Sequence, residues 1–200
     1  IYVFDEAHSL AAKAVEHFSA RHALRGAMEW LEGACNAVRD AVLGLRLDEQ
    51  LIRDSRASAE RMERALRDLH SRIHGTNGFE EKRARRFRSG PLPYWCKSAG
   101  GQVLAAGEEL QKTFASLREH VLEKAPSVGA LATQVLSVLG FYVVRLDNLV
   151  DTWQLMLTEQ PEGSPPIARW IARHDEGGRP DDYQVCASPI SGSDKLRKLL

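Results

Sequence analysis

The stretch His22-Ala-Leu-Arg-Gly-Ala-Met-Glu-Trp-Leu-Glu-Gly-Ala-Cys-Asn-Ala-Val-Arg-Asp-Ala-Val-Leu-Gly-Leu45 decides the fold. Leu24, Met28, Leu31, Cys35, Val38, Val42 and Leu45 recur in alternating steps of four and three. That is the spacing of a heptad seam, so the stretch predicts a long helix packed lengthwise on a partner. Asp48 to His74 repeats the design through Ile52, Ala59, Met62, Leu66, Leu69 and Ile73. Its other faces are nearly all Arg, Glu and Asp at i,i+3 and i,i+4 spacing, a solvated outer surface. Gly75 and then Asn77-Gly78 stop it.

Further along, a third helix is expected from near Gly101, with Val103, Leu110, Phe114, Leu117 and Val121 on its seam and Pro126 at its end. The fourth, about Val128 to Gln160, is apolar on two faces. Leu131, Val135, Val138, Tyr142, Leu149 and Met156 make one stripe; Leu139, Val143, Leu146, Val150, Trp153 and Leu157 make the other. A helix this apolar all round is expected to sit centrally. Four long antiparallel helices with matching seams predict a mainly α fold built on a bundle.

The two ends of the chain read differently. Ile1-Tyr2-Val3-Phe4 is an unbroken apolar run, a strand buried on both faces as in a parallel sheet. Ser9 to Phe18 is a short helix. Pro161 to Pro166 is a linker, and Ile167 to Ala172 and Tyr183 to Ala187 are two short strands joined by a Gly-Gly-Arg-Pro-Asp-Asp turn. Ser193 caps a closing helix from Asp194 to Leu200.

Composition bounds the class. With 200 residues, 44% apolar and 27% charged, the chain is long enough for one domain with a core, plus parts of a second. Its formal net charge is zero, so attraction to nucleic acid has to come from a local patch. Cys35, Cys96 and Cys186 are odd in number and widely spaced, suggesting neither a disulfide framework nor a zinc site and fitting a reducing cytosol. No signal peptide or membrane-spanning run is read.

The opening strand runs straight into Asp5-Glu6-Ala7-His8. An acidic pair at the C-terminal end of a buried strand is where nucleotide-dependent motors place metal and water chemistry. The plainer reading is a strand end followed by an acidic helical turn. The four residues resemble the Walker B element, or motif II, of superfamily-two helicases in its DEAH spelling. Ser9-Leu10 and the long helical insert narrow the resemblance to the XPD/DinG group of DNA helicases. The tail Ala187-Ser-Pro-Ile-Ser-Gly-Ser-Asp-Lys-Leu also resembles that group, where such a segment leads the chain back to the motor domain.

The resemblance implies roles. Asp5 would hold the Mg²⁺ that bridges the β- and γ-phosphates of ATP through a water, and Glu6 would orient and deprotonate the attacking water. His8 would link the nucleotide site to DNA translocation. Residues 1–20 would be the end of a motor-domain strand and its following helix. Residues 21–160 would be the helical arch, and 161–200 the return strands and helix of an incomplete RecA-like motor domain. The arch would stand over that domain and enclose single-stranded DNA, with the rest of the helicase polypeptide as its partner in a cytoplasmic repair enzyme. Iron–sulfur ligands in this group lie before motif II, outside this chain. No Gly-Lys dipeptide occurs and no arginine-finger motif is identifiable, so the phosphate-cradling loop is absent. The chain also opens without Met, in mid-strand. It is therefore expected to be a piece of a larger ATP-dependent helicase, inactive alone.

Other candidates carry less. Lys82-Arg83-Ala84-Arg85-Arg86-Phe87-Arg88 sets five cations and an aromatic in seven residues. Phosphates attract such a run, and Phe87, Tyr94 or Trp95 could stack on bases. The alternative is a solvated loop balanced by Glu80 and Glu81, with the aromatics plugging the bundle's end, and for the aromatics packing is favoured. His70 and His74 have a metal-clamping spacing, but no third ligand is evident and a helix C-terminus favours His in any case. Cys186 reads as an apolar filler, and Trp30, Trp153 and Trp170 as core. Arg145, between the two stripes, has to pair or reach solvent. A different class of function stays open: a stand-alone helical scaffold whose seams dock partner proteins, with an incidental acidic pair.

Overall fold

The computed structural model describes residues 19–75, 84–87, 91–159, 166–174 and 182–189. The strand at Ile1–Phe4, the helix at Ser9–Phe18 and the closing helix after Ser193 lie outside these residues. Among them run, in chain order, β1 (Ala20–Ala23), α1 (Leu24–Leu45), α2 (Gln50–His74), β2 (Ala84–Phe87), α3 (Tyr94–Val128), α4 (Ala130–Leu157), β3 (Ile167–His174) and β4 (Asp182–Pro189). The molecule is mainly helical, as expected, and the helices pack as two antiparallel hairpins, α1 on α2 and α3 on α4, with α2 and α3 in extensive contact.

The expected seams form the core. Leu24, Leu31, Val38, Val42 and Leu45 of α1 are buried, as are Met62, Leu66, Leu69 and Ile73 of α2 and all five predicted positions of α3. Met28 and Cys35 are half-buried, and Ala27, Ala34 and Ala41 lie buried beside them. Each large apolar side chain taken out of water contributes about 1.5–3 kcal/mol. On α2 the solvated face is laced by Arg67–Glu63 at 2.6 Å and Arg72–Asp68 at 2.8 Å, while Arg61 reaches across to Glu109 of α3.

Two expectations about α3 change. Helix α3 begins at Tyr94, not near Gly101, and passes through Gly100-Gly101 without a break. The reason is contact with α4: a Cβ on Gly100 would stand 2.3 Å from the Trp153 ring, and one on Gly107 would stand 2.8 Å from Val150. The missing side chains let the two helices approach closely. Pro126 does not end α3, which reaches Val128 and turns into α4 at Gly129, where φ is +45°.

The fourth helix is central only in its second half. Leu139, Leu146, Leu149, Val150, Trp153 and Met156 are buried, whereas Leu131, Val138, Phe141 and Val144 are exposed, the last at 69%. Arg145 reaches solvent, as expected, with its guanidinium 3.5 Å from the centre of the Phe141 ring. By length and composition alone α4 is apolar enough to span a membrane, with a mean hydropathy of 1.3 over its most apolar window, which corrects the reading that no such run exists.

The strands form a sheet of order β1-β4-β3-β2, antiparallel throughout. The two strands expected after the linker are present and longer than read. They pair with β1, at the boundary between the opening stretch and the helical arm, and with β2, from within the arm. Residues directly opposite on an antiparallel pair share a face. Arg85, Ile171, Val185 and His22 therefore form one row, toward the bundle, where Ile171 and Val185 are fully buried. On the same face the Tyr183 hydroxyl lies 3.1 Å from His74 Nδ1 of α2, and Arg169 Nη1 donates to the Met156 carbonyl at 3.1 Å. Helix α1 has no cap from its own N-cap residue, Ala23. Asp182 supplies one from β4, its Oδ1 accepting the Arg25 backbone N–H at 3.0 Å.

Candidate nucleic-acid interface

Asp5, Glu6 and His8 lie outside the described residues, as do Lys82, Arg83 and Arg88 of the cationic run. The run's centre is described. Ala84-Arg85-Arg86-Phe87 is a strand, not a loop, and it forms an outer edge of the sheet through its pairing with β3. Its four residues alternate between the two faces of the sheet. Arg85 and Phe87 take the bundle side, where Phe87 packs on the core. Arg86 takes the open side and is exposed.

The opposite face, open at β2 and β3, carries a second row: Arg86 of β2, Trp170 of β3, the buried Cys186 of β4 and Arg21 of β1. Arg86 and Arg21 are exposed and have no ion-pair partner among the described residues, whereas Trp170 is half-buried. Adjacent strands lie about 4.8 Å apart, so the row spans roughly 14 Å with the indole between the guanidinium groups. A groove of about 640 Å³ opens beside it, lined by Ala84, Arg86, Phe87, Pro166, Ala168 and Trp170 among others.

Electrostatics support the division of faces. Burial pushes the Cys96 thiol up to about 12, with Arg169 and Arg85 opposing the shift from the bundle side. Burial likewise pushes Cys186 up to about 11, opposed by Arg21 from the open side. Both thiols are protonated at neutral pH, so neither is a ready nucleophile. Arg86 and Arg21, without ion-pair partners among the described residues, contrast with the arginines of α2, where Arg61, Arg67 and Arg72 each face a carboxylate.

The remaining candidates fall into place around this site. The rings of His70 and His74 stack at 6.3 Å, and Tyr183 meets His70 edge-on at 5.2 Å, so the pair seats a tyrosine. No group of three or more metal-ligating side chains with a shape to hold an ion occurs among the described residues. Tyr94, expected to pack, is 86% exposed; Trp95 does pack against the core. Trp153 is fully buried, but Trp170, read as core, lies on the open face. The signal for it was present: in Ile167-Ala-Arg-Trp-Ile-Ala-Arg-His a period of two sets Trp170 opposite in sense to the buried Ile171.

No protein-family model matches the chain. A curated relative does: the ATP-dependent DNA helicase DinG of Photobacterium profundum, 27% identical over 205 residues. The match covers the whole of this chain and 29% of the length of that helicase. The resemblance first read from the opening motif thus extends through every helix and strand described above, and over its whole length the chain is similar to a segment of a DinG-type helicase.

Proposed function

We propose that this segment serves an ATP-dependent DNA helicase that couples ATP hydrolysis to translocation on single-stranded DNA and duplex unwinding. Asp5 positions Mg²⁺, Glu6 activates water and His8 couples the nucleotide site to movement. The helical arm stands over the motor domain, with residues 1–20 and 161–200 belonging to that domain. Lys82, Arg83, Arg85, Arg86 and Arg88 neutralise DNA phosphates; of these, Arg86 stands exposed on the sheet edge and Arg85 is set back toward the bundle. The setting is cytoplasmic, away from membranes, in DNA repair. An iron–sulfur cluster, if the whole enzyme carries one, is held by residues outside this chain.

The observation that carries this reading is the similarity to DinG along the whole of this chain, together with an arginine-bearing strand at the edge of the sheet among the described residues. The stand-alone scaffold is disfavoured by the same end-to-end match. Glu6→Gln in the intact helicase is the direct test. ATP binding should persist while turnover is abolished; retained hydrolysis would refute the role. With no Gly-Lys dipeptide, the 200-residue chain by itself should not turn over ATP.

For the DNA edge, Arg83, Arg86 and Arg88 replaced by Ala should flatten the log–log salt dependence of single-strand binding by up to ~2 units, at ~0.7 per phosphate. The same replacements at Arg64, Arg67 and Arg72 of α2 should leave it unchanged. Equal effects of the two sets would mean that the run is ordinary surface.

A further inference from the structure

The cationic run explains attraction to phosphates but not the groove next to it. That groove is bounded on one side by Arg86 and on another by Trp170, with Pro166, Ala168 and Ala84 as small apolar walls. The indole is half-buried and lines the groove, and no acidic residue among the described residues does so. Arg86 and Arg21 flank it in one row across the sheet, without ion-pair partners among the described residues. A flat π-surface set between cations suits an unpaired nucleotide: the base stacks, and the phosphates on either side meet guanidinium groups. A peptide or lipid ligand would leave this alternation of charge and ring unexplained.

We propose that this groove is a base-stacking subsite: Trp170 receives one unstacked nucleobase of single-stranded nucleic acid, and Arg86 and Arg21 hold the adjoining backbone. The subsite rests on the DNA-facing reading of the sheet edge and adds a residue, Trp170, far from the cationic run in sequence. Base identity is not read, because every base offers a π-face and, among the described residues, no hydrogen-bonding side chain other than arginine and the indole lines the groove.

The test uses the 200-residue chain and two probes at one low salt concentration: an oligothymidylate and an abasic oligonucleotide with the same number of phosphates. The unaltered chain should prefer the base-bearing probe. Trp170→Ala should weaken that probe's binding by roughly 5- to 150-fold and leave the abasic probe unaffected. Trp170→Phe, which keeps a ring, should retain most of the preference and guards against a folding defect. Arg86→Ala should weaken both probes alike. Photocrosslinking to a bromouridine-substituted strand should place the adduct on Trp170.

Each other outcome counts against the proposal. Equal binding of the two probes by the unaltered chain, or an adduct elsewhere with Trp170→Ala unchanged, would overturn the subsite while leaving the phosphate-contacting edge intact. Binding of neither probe would overturn both.

Discussion

The two ends of the helical bundle are built to different standards. At the sheet end, Trp153, Met156, Ile171, Val185 and Leu24 are fully buried, and polar groups from distant strands and helices bond to one another. At the far end, Lys124 Nζ caps α1 through the carbonyls of Leu45 and Arg46, at 2.6 and 3.1 Å, but Leu43, Leu122, Leu131 and Val138 stand in solvent. The two halves of α4 are similarly apolar. What separates them is that the sheet and α3 cover one half and little covers the other. Burial here follows from what lies across from a helix, not from its own composition. The well-packed end is also the one that holds Arg86 and Trp170, so the candidate interface sits on the better-supported part.

The largest effect should come from Trp153. Trp153→Ala should cost about 3–5 kcal/mol in urea unfolding, whereas Phe141→Ala on the exposed half should stay within about 0.5 kcal/mol. Comparable losses would erase the distinction between the halves.

Next comes acid. His22 is wholly buried against Trp153, and burial lowers its pKa from 6.5 to about 4, with its bond to the Ala23 carbonyl and the charge of Asp182 opposing the shift. The unfolded chain therefore binds a proton that the folded chain refuses between those values. Stability is full above pH 6.5 and declines as pH falls toward 4, by up to roughly 3 kcal/mol. His22→Gln should flatten this limb in a stability–pH series, and an unchanged limb would assign it to other groups.

The finest probe is a pair of glycines. Gly100→Ala drives a methyl into the Trp153 ring and should cost about 1–3 kcal/mol, while Gly140→Ala, with nothing within 4 Å, should be neutral or stabilise by up to about 1 kcal/mol. Stabilisation by both would mean that α3 and α4 can separate there.

The helices were legible because each carries its own periodicity; Leu24 to Leu45 announces a buried face without knowing its partner. The strands were legible only where they alternate by themselves, as in β3. Ala20-Arg-His-Ala and Ala84-Arg-Arg-Phe have little strand character and become strands because β4 and β3 offer them edges. The start of α3 was missed because Gly100-Gly101 reads as a break unless Trp153 is known to lie over it. For the site, the cations were evident in the chain, but their alignment with Trp170 depends on a pairing of remote segments.

Asp182 closes the first helix of the bundle from 157 residues further along the chain. During synthesis, α1 and α2 can therefore meet as soon as they emerge, but the start of α1 keeps an uncapped end until almost the whole segment has left the ribosome. The same delay applies to β1, whose only sheet partner among the described residues is β4. Long-range pairings of this kind form slowly. The surface proposed to face DNA is accordingly the last part of this segment to be finished, after the helices that support it.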